Sequence, residues 1–286
     1  MKYTVLYNPY AGDGWNDEKR ASAEKKLGEC EFVDMTKADY ASLFGEKKDT
    51  YFVIIGGDGT LNRFINDTVG MTLPEHILYL AGGSGNDFLH DVNGAQSTDK
   101  PVEINKYMKN LPTVTVNGKT SLFLNGVGYG IDGYCCRVGD EIKEKQHKKP
   151  NYTAIAIKGL LFFFKPADAV ITVDGVKKEY KKVWLAPTMN GRYYGGGMMA
   201  TPKQDRLGDG TLSVLVWHCG SKIKTLSVFP KIFSGEHVNH TNMCEVLTGR
   251  NIKVEFSRPT ELQIDGETIC GVTTYEAHSA DKTDKR

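Results

Sequence analysis

Apolar and polar segments alternate regularly through the first third of the chain. Short apolar runs predict four strands, at Lys2–Tyr7, Glu31–Asp34, Tyr51–Ile55 and Ile77–Leu80. The polar segments between them predict three helices, at Asn16–Leu27, at Ala38–Phe44 and directly after Thr60. The third run is apolar throughout, as expected of a parallel strand that is buried on both faces. This alternation predicts a parallel sheet covered by helices.

The pattern changes near Leu111-Pro112, beyond which turn signals separate short strand-like runs. An Asn-Gly pair and an Asp-Gly pair predict two hairpins, Thr113–Val116 with Thr120–Leu124 and Ala169–Val173 with Val176–Trp184. Further strands are predicted at Leu212–Trp217, Ile252–Phe256 and Leu262–Ile264, and one helix near Tyr152–Phe164. We therefore expect an α/β domain over residues 1–112 and an antiparallel β domain over residues 113–286.

The length of the chain fits two globular domains, and its charge balance bears on which ligands it can bind. The chain has 286 residues, with 36 Lys and Arg against 35 Asp and Glu, and this balance argues against nucleic acid as the main ligand. The 31 glycines predict tight turns and close approach of the backbone to a ligand. The six cysteines show no zinc-binding spacing, and the longest apolar stretch is too short to span a bilayer. Met1 leads straight into the first strand, so we expect a cytoplasmic protein with reduced thiols.

The strongest chemical signal is the turn Gly56–Thr60, Gly-Gly-Asp-Gly-Thr, which follows a buried strand and begins a helix. Glycines at such a place let backbone N–H groups approach a phosphate, and the helix N-terminus adds partial positive charge. Thr60 could cap the helix or donate its hydroxyl to a phosphate, and Asp58 could hold Mg²⁺ or its water. A plain strand-to-helix turn with Asp58 as the capping residue is the alternative interpretation.

Two more turns of this kind follow predicted strands. Ala81–Phe88 reads Ala-Gly-Gly-Ser-Gly-Asn-Asp-Phe, and Tyr7–Gly12 reads Tyr-Asn-Pro-Tyr-Ala-Gly. Neighbouring parallel strands place their C-terminal turns side by side, and the ligands of such sheets bind there. The three turns together therefore predict one phosphate site, although none matches the dinucleotide-binding glycine fingerprint or the P-loop.

In their order and spacing these turns resemble the catalytic domain of the diacylglycerol kinases, a family shared by bacterial lipid kinases and by the sphingosine and ceramide kinases. The resemblance rests on Asn8-Pro9 with Ala11-Gly12, on Gly56–Asn62 and on Gly83–Phe88. It continues through Asn190–Met198, Ala200–Pro202, Gly208–Leu212 and Asp265–Glu267, and it spans residues 3–270. Two residues depart from the family pattern: Ser84 replaces a threonine but keeps the hydroxyl, and Arg63 replaces an acidic residue.

The resemblance implies a nucleotide-binding α/β domain and a β-sandwich domain, with the active site in the cleft between them. It implies ATP and Mg²⁺ as cofactors and nucleotide contacts at Asn8, Pro9, Tyr10, Ala11, Gly12, Thr36, Gly56, Gly57, Asp58, Gly59, Thr60, Leu61, Asn62, Ser84 and Asp87. A separate structural Mg²⁺ is implied on the Asp209 carboxylate and the carbonyls of Arg206 and Thr211. The resemblance implies Glu267 as the catalytic base, and Asp265 is the alternative. A catalytic Asp58, together with Asp87, would order magnesium and water around the phosphates.

The family implies a lipid kinase that transfers the γ-phosphoryl group of ATP to a membrane lipid hydroxyl, with diacylglycerol as the expected acceptor. An NAD-kinase-like activity, another lipid acceptor such as sphingosine, and a catalytically inactive nucleotide-binding regulator are the alternatives. A lipid acceptor predicts peripheral contact with the inner face of the membrane, and a homodimer is compatible with it. Leu160–Phe164 is expected in the core or beside an acyl chain, and the basic stretch Ile142–Pro150 on a solvated or lipid-facing helix.

Overall fold

Two units make up the structure, one ending at Leu111 and the other beginning at Pro112. The computed structural model describes residues 2–12, 14–47, 49–83, 86–146 and 150–280. Across these residues, no helix has the length and apolar character needed to cross a membrane. Each unit has its own sheet and its own buried core.

The first unit contains a five-stranded sheet. Its strands are β1 (Tyr3–Tyr7), β2 (Cys30–Asp34), β3 (Tyr51–Gly56), β4 (Ile77–Ala81) and β5 (Val102–Glu103). They lie in the order β2-β1-β3-β4-β5, and all neighbours are parallel except β5, which is antiparallel to β4. Phe52, Val53 and Ile54 of the central strand β3 are fully buried, as its apolar sequence predicts. The four predicted strands are confirmed to within one residue at each end.

Four helices connect these strands and cover the sheet. They are α1 (Asp17–Leu27), α2 (Tyr40–Glu46), α3 (Asp58–Asp67) and α4 (Asp87–Asn93), and a short 3₁₀ turn follows at Asn105–Tyr107. The side chain of Asn16 accepts from the N–H of Lys19 at 2.9 Å and so caps α1. Helix α3 buries Leu61, Phe64 and Ile65, which form its apolar face.

The second unit is built mainly from antiparallel strands. They are β6 (Thr113–Val116), β7 (Lys119–Leu122), β8 (Gly126–Tyr129), β9 (Ala167–Val173), β10 (Val176–Val183), β11 (Thr188–Met189), β12 (Tyr193–Tyr194), β13 (Met198–Met199), β14 (Leu212–Trp217), β15 (Cys244–Gly249), β16 (Asn251–Ile264) and β17 (Glu267–His278). The main sheet runs β15-β14-β11-β8-β16-β17-β6-β7, and β9 pairs with both β10 and β16. Its strands pack as a β-sandwich around side chains such as Val127, Ile171, Val214, Val254 and Leu262, all of which are buried.

Both predicted hairpins of the second unit are present and turn as expected. Asn117 and Gly118 have φ angles of 50° and 75°, and Asp174 and Gly175 have φ angles of 47° and 84°. Two consecutive positive φ angles define the type I′ turn, whose twist matches that of the strands it joins. The Asn-Gly and Asp-Gly pairs therefore fixed the register of β6 with β7 and of β9 with β10.

The two strands predicted at Ile252–Phe256 and Leu262–Ile264 are wrong as separate strands, because both belong to the single long strand β16. Its first half pairs with β9 and its second half with β8. The pairing register with β17 shifts between Glu255 and Leu262, around Pro259, which has no N–H to donate. Irregular pairing at this proline lets one strand serve two neighbours, whereas the sequence suggests a break.

The prediction of a single helix in the second unit is also wrong. Besides α6 (Tyr152–Lys158), which ends in a π-helical turn at Gly159–Phe163, the chain forms α5 (Ile131–Gln146), α7 (Lys222–Val228) and 3₁₀ turns at Phe229–Ile232 and Glu236–Asn239. The sequence pattern does not predict the start of α5 because the helix contains Gly133 and Gly139, and glycine is unfavourable in helix interiors. A Cβ atom at Gly133 would lie 2.2 Å from the carbonyl oxygen of Glu261, so close packing on β16 requires this glycine.

Candidate functional site

Three sequence-predicted turns lie side by side at one edge of the first sheet. Strands β1, β3 and β4 are parallel neighbours in register, with Tyr7 opposite Ile55 and Ile55 opposite Leu80. Their C-terminal ends therefore lead into the turns Asn8–Gly12, Gly56–Thr60 and Gly82–Asp87 at the same edge. Ser84 of the third turn lies outside the described residues. Open parallel sheets bind their ligands at such an edge.

The first turn is shaped by its own side chain. The Asn8 side-chain oxygen accepts from the N–H of Tyr10 at 3.0 Å, and the Asn8 carbonyl accepts from the N–H of Ala11 at 3.2 Å. Beyond the neighbouring strand β2, the Asp34 carboxylate accepts from the N–H and hydroxyl of Thr36 at 2.9 and 2.7 Å. These local bonds hold Thr36 and the Asn8 turn in fixed conformations beside the sheet edge.

Glycines bring the second and third turns into direct backbone contact. A Cβ atom at Gly83 would lie 2.6 Å from the Cα of Gly57, so a side chain there would push the turns apart. A Cβ atom at Gly56 would lie 2.3 Å from the hydroxyl oxygen of Thr60. The glycines thus serve the packing of the turns on each other, a role that the sequence interpretation did not include.

Asp58 joins the same two turns through hydrogen bonds. Its buried carboxylate accepts from the backbone N–H of Asp87 at 2.8 Å and from that of Phe88 at 3.2 Å. These N–H groups lie at the start of α4, where a negative charge is favoured. Asp58 therefore caps the neighbouring helix α4, whereas the alternative interpretation made it the cap of its own helix α3.

Tyr79 is a buried polar residue of this edge that sequence reasoning missed. Its hydroxyl lies 2.8 Å from the carbonyl oxygen of Gly56 and 3.2 Å from the side-chain oxygen of Asn86. Asn86 in turn donates to the carbonyl oxygen of Gly83 at 3.0 Å. Burial, with the charge of Asp58 next in importance, raises the pKa of Tyr79 well above its usual range, so the phenol stays a donor. A tyrosine within an otherwise apolar run was the available signal.

Thr60 carries an unsatisfied hydroxyl at this edge. Its side chain is buried, and its Oγ1 has no hydrogen-bond partner in the part of the chain that the structure describes. The Thr60 N–H donates to the Gly57 carbonyl oxygen at 3.0 Å, and no side chain caps the start of α3. A buried hydroxyl without a partner is costly, and a ligand oxygen at the turn would satisfy it. The residues present therefore fit a phosphate group at this turn.

In the second unit, the two candidate bases occupy different environments. Asp265 is buried, and its carboxylate accepts from the N–H groups of Leu124, Asn125 and Gly126 at 2.5, 2.8 and 3.0 Å. Three such bonds give this carboxylate a structural role. Glu267 is exposed as the first residue of β17, directly opposite Ile264. Of these two carboxylates, Glu267 is the one exposed to solvent.

The candidate metal loop Arg206–Thr211 forms a tight polar turn. One oxygen of the Asp209 carboxylate accepts from the N–H and the hydroxyl of Thr211, at 3.0 and 2.7 Å. The Arg206 guanidinium donates to the carbonyl oxygen of Leu124 and to the side-chain oxygen of Asn125. Within the described residues there is no group of three or more His, Cys, Asp or Glu that could hold a metal. Any ion here would depend on one carboxylate and backbone carbonyls.

Leu124–Gly126 ties these features of the second unit together. The segment receives the Asp265 carboxylate, the Arg206 guanidinium and the Asn190 side chain, whose amide donates to the Leu124 carbonyl at 2.9 Å. Three stretches that the sequence analysis singled out separately thus converge on one segment. The Glu267 turn is supported by that segment, which gives its side chain a rigid base.

Asp132 is a second polar residue that the sequence analysis missed. It is buried at the start of α5, where one carboxylate oxygen accepts from the N–H of Gly133 at 3.0 Å. The buried hydroxyl of Tyr194 faces this carboxylate, and its contact lowers the pKa of Asp132 against the larger effect of burial. Burial raises the pKa of Asp132 to about 6. The sequence signal was weak: one aspartate after a glycine-rich strand.

Sequence comparison places both units in known families. The sequence model of the diacylglycerol kinase catalytic domain matches residues 2–115. That of the YegS C-terminal NAD kinase beta sandwich-like domain matches residues 125–278, more than half of the chain. The chain belongs to the diacylglycerol kinase catalytic-domain family. The α/β domain followed by a β-sandwich, expected from the sequence, is therefore confirmed.

Individual relatives agree with this assignment over most of the chain. A protein named "Diacylglycerol kinase" from Mycobacterium tuberculosis is 25% identical, over 94% of this chain and 89% of its own length. "Putative lipid kinase YtlR" from Bacillus subtilis is 26% identical, over 69% of this chain and 71% of its own. A crystal structure titled as a "putative diacylglycerol kinase" from Bacillus anthracis has a TM-score of 0.68 and 20% identity, with 97% and 93% of the two chains covered. This last likeness concerns the fold alone.

Proposed function

We propose that this protein is a lipid kinase that transfers the γ-phosphoryl group of ATP to a lipid hydroxyl, with diacylglycerol as acceptor and phosphatidic acid as product. Membership of the diacylglycerol kinase family supports kinase activity toward a lipid and the use of ATP. The observation that carries the proposal is the sheet edge where three turns lie side by side, one of which holds the unsatisfied Thr60 hydroxyl.

The phosphates of ATP are proposed to bind on these turns. Asn8–Gly12, Gly56–Asn62 and Asp87 would surround the nucleotide, and Thr60 would donate its hydroxyl to a phosphate oxygen. Helix α3 begins at this turn, so its N-terminal N–H groups and partial positive charge favour an anion. Asp58 fixes the relative position of two turns, and its loss would disturb the nucleotide through geometry.

Glu267 is proposed to activate the acceptor. As the γ-phosphorus–oxygen bond to ADP breaks and a bond to the lipid oxygen forms, the hydroxyl proton passes to the Glu267 carboxylate. Aligning the hydroxyl and accepting its proton is worth about 10²–10⁴-fold in rate for a general base. Its rigid turn and its exposure support this role, whereas Asp265 is held by three backbone N–H groups.

Mg²⁺ is proposed at the Asp209 loop as a structural ion. The donors there are all oxygens, from the Asp209 carboxylate and the carbonyls of Arg206 and Thr211, which is the chemical type that Mg²⁺ prefers. The Thr211 carbonyl already accepts from Gln204 at 2.8 Å and keeps a second lone pair for an ion. If the ion binds, Mg²⁺ should raise the melting temperature of the parent protein but not of Asp209→Ala.

One acceptor assay tests the proposed reaction. The purified protein receives radiolabelled ATP together with diacylglycerol, sphingosine, undecaprenol or NAD, each in a separate reaction. We expect label transfer to diacylglycerol, giving phosphatidic acid. Transfer to NAD would instead support an NAD-kinase-like activity. This candidate is retained because the family model that matches the second unit describes an NAD kinase beta sandwich-like domain. ATP binding without transfer to any acceptor would favour the inactive regulator.

The proposed acceptor also sets a proposed location. A lipid hydroxyl has to be reached at a bilayer surface, so we propose a cytoplasmic protein that contacts the inner face of the membrane peripherally. Binding to anionic vesicles should then weaken as salt is added, because salt screens charges at the surface. Equal binding to neutral and anionic vesicles at low salt would contradict the electrostatic part.

A further inference from the structure

A pair of adjacent phenylalanines projects from the second unit. Phe162 and Phe163, in the π-helical turn after α6, are 70% and 66% exposed, and their ring centroids lie 6.2 Å apart. Leu160 and Phe164, on either side of the pair, are buried and anchor the turn in the core. The sequence predicted core or acyl-chain contacts for this whole stretch. The structure instead divides it into buried anchors and an exposed aromatic tip.

Helix α7 extends this exposed surface. The Lys222 ammonium donates to the carbonyl oxygen of Leu161 at 2.8 Å, which brings the start of α7 against the π-helical turn. Ile223, the next residue, is 80% exposed. We call Phe162, Phe163 and Ile223 the aromatic patch. Large apolar side chains gathered in this way on a surface mark an interaction site more often than scattered ones do.

The chain segments that carry the aromatic patch are rich in positive charge. The two segments that form it, residues 150–167 and 219–235, contain no acidic residue and five exposed lysines: Lys158, Lys165, Lys222, Lys224 and Lys231. Arg258 adds a sixth cation, since its guanidinium donates to the carbonyl oxygen of Lys165. The whole chain is nearly balanced, with 36 basic against 35 acidic residues. The excess at the patch is therefore local.

We propose that the aromatic patch and its lysines form the surface that docks on a bilayer containing anionic phospholipid. Aromatic and aliphatic side chains enter the boundary between headgroups and acyl chains, while lysines remain at the negatively charged surface. Both features occur together here, and the charge complements an anionic lipid surface. The inference rests on the proposed function, because a kinase with a lipid acceptor has to reach the bilayer.

Vesicle binding by matched variants tests this surface. The vesicles contain phosphatidylcholine with or without phosphatidylglycerol, and they lack both diacylglycerol and ATP. The double variant Phe162→Ser with Phe163→Ser should bind anionic vesicles at least about tenfold more weakly, because it lacks the two apolar rings that would move from water into the bilayer boundary. The control is Val69→Ser with Val176→Ser, which changes two side chains that are 52% and 74% exposed elsewhere. This control should bind like the parent.

Charge reversal tests the lysines independently. Lys158→Glu with Lys224→Glu should weaken binding to anionic vesicles at low salt, and added salt should reduce the difference from the parent. Lys177→Glu, a reversal at an exposed lysine of β10, should have a much smaller effect. In a third measurement, Phe162→Trp should show fluorescence that shifts to shorter wavelength on anionic vesicles and is quenched by brominated lipid.

The outcomes separate this inference from the proposed reaction. Vesicle binding requires neither acceptor nor ATP, so a protein that phosphorylates no lipid could still show the predicted loss in the Phe double variant. Parent-like binding of that variant to anionic vesicles would overturn the inference. A second result would also overturn the inference: a parent protein that is a dimer and a Phe double variant that is a monomer, with equal binding of both to anionic vesicles. The patch would then be a contact between copies of this chain.

Discussion

Asp265 and Glu267 lie two residues apart on one turn, and their surroundings assign them different roles. Asp265 accepts three backbone N–H bonds from Leu124–Gly126, so its carboxyl oxygens already hold this segment in place. Glu267 is exposed on the adjoining strand. The sequence contains both acids but no signal that separates them, because the partner N–H groups come from about 140 residues earlier in the chain.

The variant Glu267→Gln tests the catalytic base. Glutamine keeps the shape of the side chain but cannot accept the hydroxyl proton, so turnover should fall at least about 10²-fold. ATP affinity, measured by calorimetry, should stay near that of the parent. In the matched variant Asp265→Asn, we expect lower stability against urea, because charge-assisted bonds to backbone N–H groups are weakened. A selective loss of turnover in Asp265→Asn, at parental stability, would identify Asp265 as the base instead.

Asp132→Asn tests the consequence of burying a carboxylate. The pKa of Asp132 rises to about 6 on folding, so the folded protein binds the proton more tightly than the unfolded chain. The contribution of Asp132 to stability is therefore present below about pH 4 and is lost as the pH rises through about 6, by on the order of 2–3 kcal/mol. Asparagine does not titrate. The variant should gain stability relative to the parent between pH 4 and pH 8.

Urea unfolding of both proteins at the two pH values measures this gain. Comparing the change with pH cancels any constant effect of the new amide. The facing groups Tyr194 and Cys135 stay neutral over this range, since burial raises the pKa of each. A free-energy difference between variant and parent that is equal at pH 4 and pH 8 would show that Asp132 titrates as an ordinary aspartate.

At the scale of elements, the sequence predicted best where a local rule decides the structure. Asn117-Gly118 adopts the two positive φ angles that a type I′ turn requires, and the hairpin of β6 with β7 predicted from this pair is present. The apolar run of β3 predicted a buried parallel strand for the same reason. Helix α5 was predicted only at its end, in the basic stretch that begins at Ile142. Its start was missed because Gly133, which a local rule counts against a helix, is required by distant packing on Glu261. Tertiary contacts of this kind leave no local signal.

The candidate site shows the same division. The three glycine turns were predicted together, since parallel strands bring their ends to one edge. How the turns pack was not predicted, because it depends on Gly83 meeting Gly57 and on Asp58 reaching the start of α4. Side chains that reach across the sheet edge become visible only when the neighbouring strand is in place.

Gly83→Ala tests the packing of the turns. The added Cβ atom would lie 2.6 Å from the Cα of Gly57, so one backbone has to move. Overpacking of this kind costs about 1–3 kcal/mol of stability, and displaced turns should weaken ATP binding by at least about tenfold. Gly45→Ala is the control. Gly45 lies in α2, away from the turns, and a Cβ atom at this position would have no other atom within 4 Å. Parental ATP affinity in Gly83→Ala would show that the turns do not form the nucleotide site.

At the scale of the whole molecule, the two units carry different parts of the proposed chemistry. The three turns and the nucleotide candidates belong to the first unit, which ends at Leu111. Glu267, the Asp209 loop and the aromatic patch belong to the second. Each unit has its own core, so a ligand that binds one unit should stabilise that unit first. Thermal unfolding can therefore report where ATP binds without any measurement of turnover.

Calorimetry of the full chain with and without ATP makes this test. A ligand that binds only the folded state adds about 2.7 kcal/mol at a concentration one hundred times its Kd, so an unfolding transition should shift upward by several degrees. Glu267→Gln should shift like the parent, because its side chain is not on the turns, while Gly83→Ala should shift much less. If NAD moved a transition and ATP moved none, the nucleotide edge would belong to an NAD-kinase-like enzyme instead.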